Sequence, residues 1–392
     1  MAKKKKLSYW ELRAVKQEND MQKNLAKTQN TIAKAYLDAQ KYLTDEANKL
    51  FKRLESQNDM TEQEAKTALN ARVSDSSILE YKRLANQIET PELQKWAQKQ
   101  LYTLAMKSRI TRIEDLRAKS YLVAKRVADI EYKEQTNFYI DVIHDSYKNA
   151  VAEDVVQQLT QKGITFEDWK TSNIVPIEVW NKKNIATNGH ELKELSTEYT
   201  KNILESHWKG SNYSKRIWGD TDALAKRLEH LFTVESMTGM SEREMAQMIA
   251  KEFSTSTFVA KRLIRTEANY MSTQGKLKAW QAQGIEKYQI IAILDLRTSK
   301  ICRHEDKKVY LVKDMKIGVN APPFHVFCRS SVIAYYEERS NKGATTVRDP
   351  ISGESFTMPS GTTYTQWMKE LLKTYSMDEI KAQKRKILGK TL

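Results

Sequence analysis

No proline occurs before Pro91 and no glycine before Gly163. So long a stretch without breakers, rich in Lys, Glu, Gln, Ala and Leu, restricts the front of the chain to long helices. Leu25, Ile32, Tyr36, Leu37, Leu43, Ala47, Leu50, Phe51 and Leu54 recur at three- and four-residue steps, which predicts one helix over 8–58. Thr61-Glu-Gln-Glu64 fits a capping box and opens a helix over 61–72. Ser76–Ile88 reads as a third helix, and Thr90-Pro91 as the N-cap and first residue of a fourth. From Pro91 to about Lys162 the pattern stays helical with breaks, and a stripe through Leu104, Ile113, Leu122 and Val127 predicts bundle packing. These stripes read as core.

The pattern loosens over 163–189, where Trp169, Pro176, Trp180 and several Asn suggest a loop or hinge. Helix is expected over 191–208, a loop over 209–220, and helix again from Thr221 to Thr238. Ser241-Glu-Arg-Glu244 is a second capping box; its helix is expected to run to Phe253, break at Ser254–Ser256 and resume from Thr257 to Gln283. Three apolar, β-branched runs then read as strands: Tyr288–Leu294, Lys308–Val312 and Ser330–Glu337. Residues 341–352 read as a linker, 365–372 as a short amphipathic helix, and 381–390 as a basic end. The expectation is a mainly α protein with long helices in its N-terminal half and a small α+β module near the C-terminus. Its expected divisions are an elongated helical region (1–162), a connector with Trp-rich loops (163–238), the strand-bearing module (239–340), and a linker with a basic helix (341–392).

The formal net charge is +15, with mean hydropathy −0.66. An excess of that size points to polyanions, either nucleic acid or an acidic protein surface, unless the lysines merely solvate helix faces. Two places could focus it. Lys3, Lys4, Lys5 and Lys6 form either a solvated tail or an anchor for a polyanion. Asn212–Trp218 interleaves Lys215 and Arg216 with Trp218, which suits phosphates and bases, or a partner surface, or plain loop packing. The N-terminus lacks the apolar region of a secretion signal, and no run of ~18 apolar residues predicts a membrane span.

The chain has only two cysteines, each with a histidine near it: Cys302-Arg-His304 and His325-Val-Phe-Cys328. Thiolate and imidazole are the ligands zinc favours, and Cys302, His304, His325 and Cys328 would make a closed tetrahedral set. In a reducing compartment metal ligation is favoured over a Cys302–Cys328 bridge. The bland alternative is two core thiols beside a polar loop histidine. Around them Arg265-Thr-Glu267 and Asp295-Leu-Arg297 mix acids with bases. Glu267 and Asp295 read as a carboxylate pair only if the chain is an enzyme; otherwise they belong to an ion-pair network, and Arg329 is placed to join one of them. Nothing nearby reads clearly as a general base, with Glu305 the one residue left open for that role. His144, His190, His207 and His230 have no partner at ligand spacing.

Taken together, Asp295-Leu-Arg-Thr-Ser-Lys-Ile-Cys302 and Gly318-Val-Asn-Ala-Pro-Pro-Phe-His325-Val-Phe-Cys328-Arg-Ser330 resemble the phage minor head protein family, also called the head morphogenesis or Mu F-like family. Leu263-Ile-Arg-Thr-Glu267 and Trp10-Glu-Leu-Arg13 are similar to it as well. The motif-bearing likeness covers about 240–338. Cys302, His325 and Cys328 fall on the pattern but His304 does not, which leaves the fourth ligand open between His304, Asp306 and Asp295. The resemblance implies a virion component of a tailed phage, assembled in the host cytoplasm and lodged inside the head near the portal. Its implied partners are the portal protein, capsid or scaffold proteins and, in some cases, the packaged double-stranded DNA. The Cys/His cluster by itself reads as a structural zinc site on a thin-cored module, and the leading reading is assembly without chemical turnover. A metal-dependent enzyme acting on nucleic acid and a free DNA-binding protein are the alternatives.

Overall fold

The fold, taken from a computed structural model, is described for residues 9–55, 61–74, 76–107, 109–161, 195–337, 344–353, 355–359 and 361–389. Lys3–Lys6, Trp169, Trp180, His190 and the side chains of Trp10–Arg13 lie outside the described residues. Helix dominates, with long helices early and a small antiparallel sheet near the C-terminus. No described helix is long and apolar enough to cross a membrane. Internal contacts divide the chain into two units, one of 25–138 with 204–264, the other of 1–24, 139–203 and 265–392.

The first helices follow the sequence pattern. Helix α1 is Tyr9–Glu55, α2 Glu62–Leu69, α3 Ser76–Ala85, α4 Pro91–Ala105 and α5 Arg112–Gln161. The Thr61 hydroxyl and the Glu64 carboxylate cap α2 reciprocally. Thr90 sits at the N-cap of α4 without a side-chain cap; its N–H donates to Asp129 Oδ1 at 2.7 Å instead. Along α1 the stripe from Leu25 to Phe51 is buried except Leu37, which is 61 % exposed. Leu37 follows Tyr36 directly, so the helix turns it away from the buried face. Within this unit Tyr36 packs edge-on against Phe253 at 6.5 Å, and its hydroxyl donates to the buried Glu131 at 2.8 Å.

Two sequence expectations fail in the middle of the chain. Helix α6 is Thr197–Glu205, but α7 is Tyr213–Leu231, starting eight residues before the expected Thr221. Gly219 and Asp220 read as loop, yet Asn212 caps the helix on Lys215 N–H at 3.1 Å and Tyr213, Ile217, Thr221 and Leu224 are buried at helical spacing. A short α8, Val234–Gly239, precedes α9, Glu242–Gln283, which runs straight through Ser254–Ser256. The hydroxyls there are absorbed locally: Thr255 and Thr257 bond the carbonyls of Lys251 and Phe253, at 2.9 and 2.8 Å, and buried Ser256 accepts from Arg227 at 2.9 Å.

In the other unit α9 approaches α5 closely. A Cβ on Gly275 would meet the Ile143 carbonyl oxygen at 2.6 Å, and Ser146 donates to Ser272 at 2.8 Å one turn away. Gly284, at φ +70°, then turns the chain into β1, Lys287–Ile291. Trp280 stacks on Tyr288 at 5.9 Å across that turn. Helix α10 is Lys300–Glu305, β2 is Val309–Leu311 and β3 is Ser331–Ala334. The sheet order is β2-β1-β3, all antiparallel, pairing Tyr288 with Tyr310 and Ile290 with Val332.

The stretch expected to be a linker holds a strand. Strand β4, Ala344–Arg348, pairs antiparallel with β5, Ser355–Pro359. Asp349 ties the turn, accepting from Ile351 and Ser352 N–H at 2.8 and 3.0 Å. Val347 packs with Leu294, Leu296, Trp367, Leu371 and Ile380 in a small core shared with α11, Tyr364–Leu371, and α12, Met377–Gly389. Arg303 lies 3.7 Å over the Tyr364 ring and so joins α10 to this core.

Candidate metal centre

Cys302 is the third residue of α10. Ser299 caps that helix by accepting Cys302 N–H at 3.2 Å, which fixes the turn carrying the thiol. Cys328 arrives from the loop before β3. His325 and Cys328 close a tight turn there, with Cys328 N–H donating to the His325 carbonyl at 3.1 Å. Phe327 takes φ +57° inside the turn, an uncommon conformation for a bulky residue. Helix α9 supports it from outside: Thr266 accepts Phe327 N–H at 3.0 Å, and Asn269 donates to the carbonyls of Cys328 and Ser330 at 3.2 and 2.8 Å. Lys276 extends the same seam with bonds to Ser331 Oγ and the Val332 carbonyl at 2.8 and 2.9 Å.

These elements bring Cys302, His325 and Cys328 together, with their ligand atoms all within 4.8 Å of one another. The two sulfurs are 3.7 Å apart, and Cys302 Sγ is 3.1 Å from His325 Nε2. Two thiolates on a tetrahedral metal at ~2.3 Å would stand ~3.8 Å apart. The sulfur pair therefore already has the edge length a metal needs, and both cysteines are unpaired thiols rather than a disulfide. His325 Nδ1 lies 2.7 Å from the Val326 carbonyl. A carbonyl can only accept, so Nδ1 carries the proton and Nε2 presents its lone pair to Cys302. The Cys302 thiol is drawn toward ionisation chiefly by the Cys328 S–H, against burial and with help from Ser299, while the Cys302 sulfur and burial push Cys328 up. One proton is thus held between two sulfurs, a pair that a cation would readily displace.

His304 is not brought into this group. Its side chain is 76 % exposed, with Nε2 3.8 Å from Glu305. Two residues along a helix are about 200° apart, so Cys302 and His304 face opposite ways. Asp295 is committed elsewhere: its oxygens take the Arg329 guanidinium at 2.5 and 2.7 Å, with Arg297 Nε at 3.6 Å. Burial pushes the Asp295 carboxyl up, but the Arg329 bonds outweigh it and hold it below the usual range. Glu305 accepts from Tyr310 and Lys308 at 2.6 and 2.9 Å, and these override the effect of burial and keep it ionised. A base so engaged is poorly placed to take a proton. Glu267 is buried on α9 and Arg265 half-buried two residues before it.

In the other unit, Trp218 packs edge-on against Trp96 at 5.7 Å and tilted to Tyr132 at 6.2 Å. Arg216 donates to the Trp208 carbonyl and lies 5.2 Å from its ring. Lys215 is exposed. Arg216 and Trp218 are thus engaged within the fold, and the other members of the expected surface, Lys3 to Lys6, lie outside the described residues.

Residues 226–333 match the family model described as phage Mu protein F like protein. This segment is Mu F-like. The match supports a phage head morphogenesis family, and with it a phage head-related protein associated with the virion and with capsid assembly. No curated protein and no solved structure matches the chain. The Mu F-like segment spans all three cluster residues and the parts of α9 that buttress them. Sequence reasoning does not single out Thr266 and Asn269. A signal exists, since both lie one turn apart on the expected helix face, but only the fold brings the loop to them.

Proposed function

We propose that this chain is a structural minor capsid protein of a tailed phage, bound to the portal or the capsid interior and acting in assembly without chemical turnover. The observation that carries the reading is the Mu F-like match over 226–333, which coincides with the Cys/His-bearing module. The net charge of +15 favours a place beside packaged DNA or an acidic partner. The cluster is read as a structural zinc site. Cys302, His325 and Cys328 supply soft thiolate and imidazole donors, and zinc would cross-link α10 to the loop before β3. A three-stranded sheet with strands of three to five residues has a thin core, to which such a cross-link adds stability. Glu305 is held ionised by Tyr310 and Lys308 and Asp295 by Arg329, so neither of these two acids is a poised base, which favours the structural role over a catalytic one.

The test is co-expression with the portal protein of the same phage, followed by purification through the portal. The expected result is retention of the chain in the wild type and loss or weakening with Cys302→Ser. Binding to double-stranded DNA with steep salt dependence, without portal retention, would instead favour a free DNA-binding protein.

A further inference from the structure

The three converging ligands leave one tetrahedral position unfilled, and a structural zinc site is usually closed by a fourth protein donor. Asp306 stands out. It lies four residues after Cys302, on the same face and one turn further along α10, where it forms the C-cap. Its side chain is buried at 8 % exposure. One oxygen, Oδ1, accepts Ala292 N–H at 2.8 Å at the end of β1. The other, Oδ2, is buried and makes no well-formed hydrogen bond; the carboxylate's further support comes from the neighbouring Lys307, whose charge and backbone N–H favour its ionised form. A buried carboxylate oxygen without a well-formed bond carries a desolvation cost that folded chains seldom leave uncompensated. The remaining acids nearby are engaged: Asp295 holds Arg329, and Glu305 holds Tyr310 and Lys308. His304 faces away.

We propose that Asp306 is the fourth ligand, binding the metal through Oδ2 and closing a site of two thiolates, one imidazole and one carboxylate. This rests on the zinc reading above. Asp306 is not within the close three-atom group, so ligation takes a rotation of its short side chain as the metal enters. In this structure Ala292 N–H engages Oδ1, which leaves Oδ2 as the oxygen for a monodentate bond.

The test uses the full chain, loaded with cobalt(II) as a spectroscopic stand-in for zinc, as wild type, Asp306→Asn and Asp306→Cys. Asn keeps an oxygen acceptor for Ala292, so Asp306→Asn removes ligation while preserving the cap. The wild type is expected to give intense tetrahedral visible bands. Asp306→Asn is expected to lose affinity by about 10–100-fold and to change those bands. Asp306→Cys is expected to retain the metal and strengthen the sulfur-to-cobalt charge-transfer band, which a merely structural role for Asp306 would not produce. Wild-type binding with an unchanged spectrum and affinity in Asp306→Asn overturns the fourth-ligand assignment alone. If Asp306→Asn does not fold, unaltered charge transfer in Asp306→Cys does the same. Failure of the wild type to bind cobalt(II) or zinc overturns the metal reading itself.

Discussion

Asp295 and Arg329, 34 residues apart, meet through two parallel hydrogen bonds of 2.5 and 2.7 Å. The same carboxylate receives Arg297 N–H at 2.9 Å and Thr298 Oγ1 at 3.1 Å, so it organises the turn before α10 while anchoring the residue after Cys328. The pair thus fixes the two chain segments that deliver the thiols. Arg329→Met is expected to cost about 2–3 kcal/mol, because it leaves a largely buried carboxylate unmatched. Adding Asp295→Asn should recover part of that loss, which a denaturant double-mutant cycle measures. The folded carboxyl is held low, so its stabilisation is present above the unfolded value near pH ~4 and disappears as pH falls through the folded one.

Asn269 carries no charge and touches no ligand atom, yet its amide bridges the carbonyls of Cys328 and Ser330. Asn269→Leu should destabilise the unit by about 1–3 kcal/mol and weaken zinc binding, because the turn presenting Cys328 is released. Competition with a chromophoric chelator reads the second effect. Unchanged zinc affinity in a folded Asn269→Leu protein would show that the turn stands without the Asn269 bonds.

Gly275 sits where α9 has no room for a side chain. Alanine normally gains about 1 kcal/mol over glycine in a helix. Here its Cβ would lie 2.6 Å from a backbone oxygen that cannot swing aside. Gly275→Ala is therefore expected to destabilise by about 1–2 kcal/mol net, opposite to the propensity. A thermal melt gives the sign directly.

Glu131 is buried, bonded to Tyr36 and to Gln135 at 2.8 and 2.7 Å, and desolvation pushes its carboxyl up to about 8. It stays protonated in the fold while the unfolded chain ionises near pH ~4.3. The folded state then binds the extra proton, so this residue's contribution falls as pH rises from about 4 to 8 and levels off above. Glu131→Gln should remove that slope and raise stability at pH ~8 by about 1–3 kcal/mol. Parallel pH profiles of wild type and variant would contradict the protonated state.

The long helices were legible because period and the absence of breakers act locally and agree. Legibility failed where a local signal competed with packing. Gly219 and Asp220 suggested a loop, and Ser254–Ser256 a break, but buried apolar neighbours carry both helices through. The hairpin of β4 and β5 had a readable signal, β-branched Thr345, Thr346 and Val347 ahead of Asp349-Pro-Ile-Ser-Gly353, which the neighbouring glycines masked. Cys302, His325 and Cys328 could be singled out because residue type and spacing are visible in sequence. The facing of His304 could not, since it depends on where α10 begins. That Arg329 meets Glu267 or Asp295 is readable, but which of the two it takes, and what Asp306 bonds, are set by how the loop before β3 folds back on α9 and β1.

The metal staple is tested most directly by the zinc content of the purified full chain, read with its thermal midpoint before and after chelation. The account predicts about one zinc per chain and a clear fall in the midpoint when the metal is stripped, with both effects absent in Cys302→Ser. A fully folded chain that contains no zinc, and whose midpoint a chelator leaves unmoved, would contradict it.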